Sequence, residues 1–108
     1  MASLQQIRDG LKTTLENLDA GANGNNVAVG YLAGNTMTTG VQNTIVGGLS
    51  GAALTTGQRN VAVGYAALQS EDAHGFNTAV GYAALNALNA GADAHNTALG
   101  YNSGFAMT

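Results

Sequence analysis

The chain has 108 residues and a formal net charge of −3, and only 8% of its residues are charged, against about 25% in a typical soluble domain. It has no cysteine, which excludes disulfides and Cys-based zinc sites, and its three Lys and Arg residues are too few for the phosphate neutralisation that nucleic-acid binding needs. Sixteen glycines, with four Tyr and two Phe as the aromatic residues, disfavour a core of large side chains.

The N-terminal residues turn polar at once and contain no apolar stretch typical of a secretory signal peptide. The sequence also lacks a run of about 18 apolar residues that could span a membrane as a helix. We therefore expect a protein that is made in the cytoplasm without a signal peptide and is not inserted in a membrane. Any external location would need another route of release.

Residues 1–21 are predicted to form an N-terminal amphipathic helix. Ser3 and Gln6 have capping-box spacing, and Gly21 suits a helix C-terminus. Because so short a helix is marginal alone, its apolar stripe must pack on something. Packing on the same chain is one interpretation, and docking or trimerisation on a partner is the favoured one. The stripe steps by three or four residues through Leu4, Ile7, Leu11, Leu15 and Leu18.

Residues 22–108 form a repeat domain. A six-residue motif, Asn-[Val/Thr]-[Ala/Ile]-[Val/Leu]-Gly-[Tyr/Gly], occurs five times, and such self-similarity is typical of a repeat architecture. The copies begin at Asn26, Asn43, Asn60, Asn77 and Asn96, with spacings of 17, 17, 17 and 19 residues.

Each repeat is predicted to be one turn of an all-β solenoid, or β-roll, of about five coils. The β-branched segment between Asn and Gly indicates a strand. Seventeen residues are too few for a strand, a helix and two loops, but they suit two short strands and two turns. The second strand is expected at residues 36–38 and 53–55, before turn signals such as Thr38-Thr39-Gly40.

The repeated strand has two apolar faces, because alternate residues point to opposite sides. The larger face is interpreted as the coil core, and the flat face of small residues, each followed two places on by Gly, as a trimer interface. The predicted core residues are Val29, Val46, Val63, Val80 and Leu99, and the predicted interface residues are Ala28, Ile45, Ala62, Ala79 and Ala98.

Two further repeat positions predict columns along the solenoid. An Asn ladder at a turn would bond adjacent coils, and a Tyr ladder would stack rings in register. Structural stacking is favoured for the tyrosines, and a sugar-binding aromatic strip is the alternative. The ladders comprise Asn26, Asn43, Asn60, Asn77 and Asn96, and Tyr31, Tyr65, Tyr82 and Tyr101.

Residues 60–68 and 77–85, Asn-Val-Ala-Val-Gly-Tyr-Ala-Ala-Leu and Asn-Thr-Ala-Val-Gly-Tyr-Ala-Ala-Leu, resemble the head repeats of trimeric autotransporter adhesins. They resemble still more the related repeats of phage tail fibres and other virion proteins. The resemblance covers residues 26–104 and implies a trimer of left-handed parallel β-rolls. Gly48 in place of Tyr and the longer fourth spacer depart from the pattern. The adhesins' signal peptide, stalk and membrane anchor are not present here, which favours a virion component.

Enzyme chemistry and cofactors are not expected. His74 and His95 fall at different repeat positions, so no metal pair is implied. Glu71 and Asp72 are adjacent in a loop predicted to be exposed and lack the opposed geometry of an acid–base pair. Residues 48–52, Gly-Leu-Ser-Gly-Ala, do not match a nucleophile elbow.

The favoured function is a non-enzymatic, homotrimeric structural protein of a phage virion, made in the host cytoplasm and exposed on the particle. It would be a short tail fibre or a capsid-decorating spike that is held to other virion proteins by its N-terminal helix. The alternative is an adhesin that recognises host surface glycan through loops 68–76 and 85–95. Ice binding by a flat face that carries threonines ranks last. The rows of threonines that it would need, at Thr36, Thr38 and Thr55, do not persist into later coils.

Overall fold

The computed structural model describes Ser3, Leu4 and residues 24–108, and the latter form a parallel β-solenoid. Each motif copy supplies one three-residue strand, and strands of successive copies pair side by side in chain order. The predicted all-β repeat architecture is confirmed at this level. The strands are β1 (Val27–Val29), β2 (Thr44–Val46), β3 (Val61–Val63), β4 (Thr78–Val80) and β5 (Thr97–Leu99).

The register joins equal repeat positions, so that Ala62 pairs with Ile45 on one side and with Ala79 on the other. Equal positions of the strands therefore lie side by side in adjacent coils. The two extra residues of the fourth spacer leave this register intact, since Ala79 pairs with Ala98. They are absorbed in the connection between β4 and β5.

The second strand predicted at residues 36–38 and 53–55 is not formed. Residues 31–36 and 48–53 are turns instead, closed by bonds such as Met37 N–H to the Gly34 carbonyl and Leu54 N–H to the Gly51 carbonyl. Of the predicted helical stripe, only its first member, Leu4, is among the described residues. Its other members, Ile7, Leu11, Leu15 and Leu18, lie outside them. Within the described part of the chain, no helix is both long and apolar enough to cross a membrane.

The glycine that follows each strand turns the chain with a backbone conformation that other residues rarely adopt. Gly64 has a φ of +130°, and a Cβ added there would lie 2.5 Å from the carbonyl oxygen of Gly81 in the next coil. Gly30, Gly47 and Gly81 have the same left-handed φ and the same close approach to the next coil. These glycines are therefore required by coil stacking within one chain. The sequence-based interpretation had assigned them to contact between chains.

The two strand faces have the opposite roles to those predicted. Ile45, Ala62, Ala79 and Ala98 are buried inside the coil, and Ala28 packs against the same core. They face large side chains from the opposite wall: Met37, Leu54, Leu68, Leu85 and Leu88. The predicted trimer-interface residues are thus the coil core, and the predicted core residues Val29, Val46, Val63, Val80 and Leu99 point outward, with Val29 and Leu99 58% and 78% exposed. The cause is the narrowness of the coil, which leaves room for only small residues on its strand side.

Residue sizes across the coil interior are complementary. Ile45 is the one large residue at the inward strand position, and a Cβ added to Gly51 opposite would lie 3.1 Å from its Cδ1. The coils with Ala62 and Ala79 at that position have Leu68 and Leu85 in place of Gly51. Each of these three middle layers is therefore filled from one wall or the other, as close packing requires.

Replacing Gly64 by Ala should destabilise the fold by about 3 kcal/mol, because the methyl group meets the Gly81 backbone at a φ that L-residues avoid. Gly91→Ala is the matched control, since nothing lies within 4 Å of its added Cβ, and its effect should stay within about 0.5 kcal/mol. Urea unfolding at equal protein concentrations measures both. Equal losses in the two variants would contradict the stacking role of Gly64.

Candidate interaction surface

The outward side chains of the five strands form one continuous apolar surface, here called the outer strand face. The register brings like residues together across the sheet. No Lys, Arg, Asp or Glu interrupts the face, whereas the exposed face of a half-buried sheet is usually polar. It consists of Val27, Val29, Thr44, Val46, Val61, Val63, Thr78, Val80, Thr97 and Leu99.

A column of tyrosines follows the outer strand face at the end of the strands. The rings of Tyr65 and Tyr82 stack with centroids 5.4 Å apart, and those of Tyr82 and Tyr101 with centroids 5.1 Å apart. All four tyrosines are about half exposed or more. The column therefore combines ring stacking along the solenoid with ring surface that is open to solvent.

The tyrosine column has a missing ring at the second coil. Gly48 occupies the Tyr position there, and its φ is not left-handed. A Cβ added to Gly48 would lie 3.4 Å from the ring of Tyr65, which is ordinary contact. Among the described residues, no ring stacks on Tyr31, which is 76% exposed. The backbone would accept a tyrosine at this position, and the sequence supplies none.

The asparagines form a hydrogen-bonded column at the start of the strands, at the opposite end from the tyrosine column. The main-chain N–H of Asn43, Asn60, Asn77 and Asn96 each donates to the side-chain Oδ1 of the previous asparagine, at 2.8–3.2 Å. In the first three coils the Nδ2 group also donates to a carbonyl of a turn, as Asn43 does to Gly57. Because Asn43, Asn60 and Asn77 are fully buried, these bonds satisfy groups that would otherwise be costly to bury.

A second column, which the sequence analysis missed, stands one residue before each asparagine. Arg59 Nε donates to Gln42 Oε1 at 2.9 Å, and its guanidinium lies 5.4 Å from the centroid of the Phe76 ring. On the other face, Phe76 stacks with His95 at 4.8 Å. Four planar groups of different chemistry are thus in contact along one column, by a hydrogen bond between Gln42 and Arg59 and by ring contacts from Arg59 to His95. In the sequence, the only feature that these four residues share is their position directly before a motif Asn. Their residue types differ, so a search for a repeated residue type does not find the column.

Glu71 is fully buried, although its loop was predicted to be exposed; Asp72 beside it is exposed. Its two carboxylate oxygens accept backbone N–H groups from His74 at 3.2 Å and from Ala90 at 2.9 Å. The bond to Ala90 ties loop 68–76 to loop 85–95 of the next coil. His74 Nδ1 lies 3.5 Å from Glu71 Oε1, is itself buried, and has no other described partner.

Glu71, Asp72 and His74 also offer ligand atoms within 4.8 Å of one another. Both Glu71 oxygens are already used by backbone donors, and the shared loop turn accounts for the proximity. The geometry therefore explains this cluster as a loop clamp. Ser50 is likewise structural, because it is buried and its hydroxyl donates to the Ala62 carbonyl at 3.0 Å.

The threonines considered for ice binding use their hydroxyls within the solenoid. Thr36 Oγ1 donates to the Ala52 carbonyl at 2.7 Å, and Thr55 Oγ1 donates to the Asp72 carbonyl at 3.0 Å. Their hydroxyl protons are thus committed to the next coil. This arrangement explains the threonines as coil-to-coil ties.

Replacing Glu71 by Gln should destabilise the fold by about 1–3 kcal/mol, because an amide has one acceptor oxygen and would leave one buried N–H without a partner. Asp72→Asn makes the same chemical change at an exposed position and should shift stability by less than about 0.5 kcal/mol. Thermal or urea unfolding compares them. Equal stability of Glu71→Gln and the wild type would contradict the clamp.

Comparison of the chain with models of protein families, with curated proteins and with solved structures gave no match.

Proposed function

We propose that the protein is a non-enzymatic, homotrimeric structural component of a phage virion, either a short fibre or a capsid-decorating spike. The observation that supports it most is the outer strand face, an in-register surface of six Val, one Leu and three Thr residues without charged residues. Exposed contiguous apolar surface marks an interaction site. Its repetition along one direction suits association of parallel copies around a common axis.

In this proposal three left-handed solenoids of about five coils place their outer strand faces toward the axis. The valines and Leu99 then lose their contact with water, which gives each chain a second apolar layer outside its narrow core. The alanines stay within each coil. This arrangement keeps the trimer expected from the resemblance, but it assigns the contact to the opposite face of the strand.

The size of the outer strand face indicates that it does not act alone. Three residues along a strand and four steps across the sheet give a projected area of about 10 by 20 Å. A standard interface buries about 800 Å² on each partner. We therefore propose that the N-terminal segment, with its stripe from Leu4 to Leu18, adds to trimerisation and anchors the trimer to other virion proteins.

An adhesin that binds host surface glycan is the second candidate function. The exposed rings of the tyrosine column favour it, since aromatic faces are common in binding sites. The clamp between loops 68–76 and 85–95 also presents Asp72, Asp93 and His95 at the surface of one region. Recognition could thus be added to a structural rod without a separate domain.

Replacing Val63 by Glu should convert the trimer to monomers, because three carboxylates would be brought together in an apolar contact. Val63 points outward and is only half-buried in the single chain, so the fold should survive, as circular dichroism can show. Thr39→Glu, at an exposed turn away from the strands, should remain trimeric. Light scattering coupled to size-exclusion chromatography measures the masses. A trimeric Val63→Glu variant would contradict the assigned interface.

Virions from the source of the gene should bind antibodies against residues 22–108 at regularly placed surface sites, seen by electron microscopy. Deleting residues 1–20 should remove this label, since the anchor is lost. Scrambling loops 68–76 and 85–95 should leave the label and particle integrity unchanged. Loss of host adsorption in the scrambled variant would favour the adhesin, and absence of label on intact wild-type virions would contradict a virion role.

A further inference from the structure

The missing ring in the tyrosine column creates a slot of defined thickness. Tyr31 and Tyr65 occupy the same repeat position two coils apart, which places their ring levels roughly 10 Å apart at about 4.8 Å per coil. Stacked neighbours in the same column are 5.1 and 5.4 Å apart. The space at the level of Gly48 therefore accepts one ring, stacked between two aromatic faces.

The slot is open to solvent and belongs to a single chain. Tyr31 and Tyr65 are 76% and 50% exposed, and the atoms nearest to the added-Cβ position of Gly48 are two carbons of the Tyr65 ring and, at 3.9 Å, the Tyr31 carbonyl oxygen.

The charge and the shape of the slot limit the class of ligand that can bind in it. The chain neighbours of Tyr31, Gly48 and Tyr65 are Gly, Leu and Ala residues, so no charged residue adjoins these three positions in the described part of the chain to favour an ionised ligand. Both walls are aromatic, and an aromatic face stacks on an apolar one. A saturated ring that enters the slot must therefore present C–H groups on both of its faces.

We propose that the gap between Tyr31 and Tyr65 binds a neutral pyranose whose ring hydroxyls are all equatorial, such as a β-linked glucosyl residue. Its axial C–H groups face the two tyrosine rings, and its hydroxyls point outward around the rim. A galactosyl residue has an axial 4-hydroxyl, which would be turned against one wall without a hydrogen-bond partner. The slot thus discriminates sugars by ring stereochemistry.

The test is a titration with methyl β-D-glucopyranoside, followed by NMR of the tyrosine ring protons. Four tyrosines give few enough signals to follow singly. The rings of Tyr31 and Tyr65 should shift and that of Tyr101 should not, with a Kd in the millimolar range that is usual for a single sugar. Methyl β-D-galactopyranoside should bind at least about tenfold more weakly.

Gly48→Tyr fills the slot and should abolish the shifts while the tyrosine column becomes continuous. Tyr31→Ala removes one exposed wall and should weaken binding in a backbone that is unchanged, which covers a failure of Gly48→Tyr to fold. Tyr101→Ala removes a tyrosine outside the slot and should bind like the wild type.

Absence of any shift up to about 50 mM glucoside, far above a millimolar Kd, would overturn the proposal. Unchanged binding in Gly48→Tyr, loss of binding in Tyr101→Ala, or equal binding of the galactoside would overturn it too. A monomeric wild-type protein that binds the glucoside would leave the slot standing and reject the trimer, so the two proposals can fail separately.

Discussion

The interior of each coil is too narrow to hold a large side chain on both walls, and most of the structure follows from this constraint. Where the strand supplies Ala62 or Ala79, the opposite wall supplies Leu68 or Leu85; where the strand supplies Ile45, the opposite wall supplies Gly51. The buried core is therefore thin. A domain with so little interior has to obtain stability from other sources, as small domains generally do.

One of these sources lies within the chain. The asparagine column joins the buried turns of successive coils by side-chain acceptors and main-chain donors, and the Glu71 clamp joins loop 68–76 to loop 85–95. Both use polar groups in places where an unsatisfied one would be costly. Together with the stacked tyrosines, they hold coils in register where a thicker core would do so by packing.

The other source that we propose is the outer strand face. Because the small residues point inward, the branched ones have to point outward, and every coil adds another two residues to an apolar surface. Covering such a surface stabilises the protein by roughly 25 cal/mol for each Å² of apolar area that is removed from water. Association of identical chains covers all five strands at once, since each copy presents the same spacing.

The sequence sufficed for the five motif strands, their register and the Asn and Tyr columns, but it also predicted a second strand in each repeat that is not formed. Asn and Gly at fixed spacing bracket each strand, and a repeated residue in a solenoid stacks on itself. Alternation defined two faces but did not determine which one is inside, because both are apolar and the deciding residues, such as Leu54 and Leu85, lie outside the motif. Burial of Glu71 was also missed, because its partners are backbone groups of His74 and Ala90, and a backbone donor has no signature in residue type. The Arg59–Phe76–His95 stack was missed because its members share a position but no chemistry.

Central to this account is that the outer strand face is covered by other copies of the same chain. Native mass spectrometry of the intact protein at micromolar concentration tests this directly. A single chain has a mass of 10.8 kDa, and closed cyclic association of three copies predicts a dominant species of about 32 kDa. A dominant species at 10.8 kDa, with the valines of the outer strand face open to water, would contradict it.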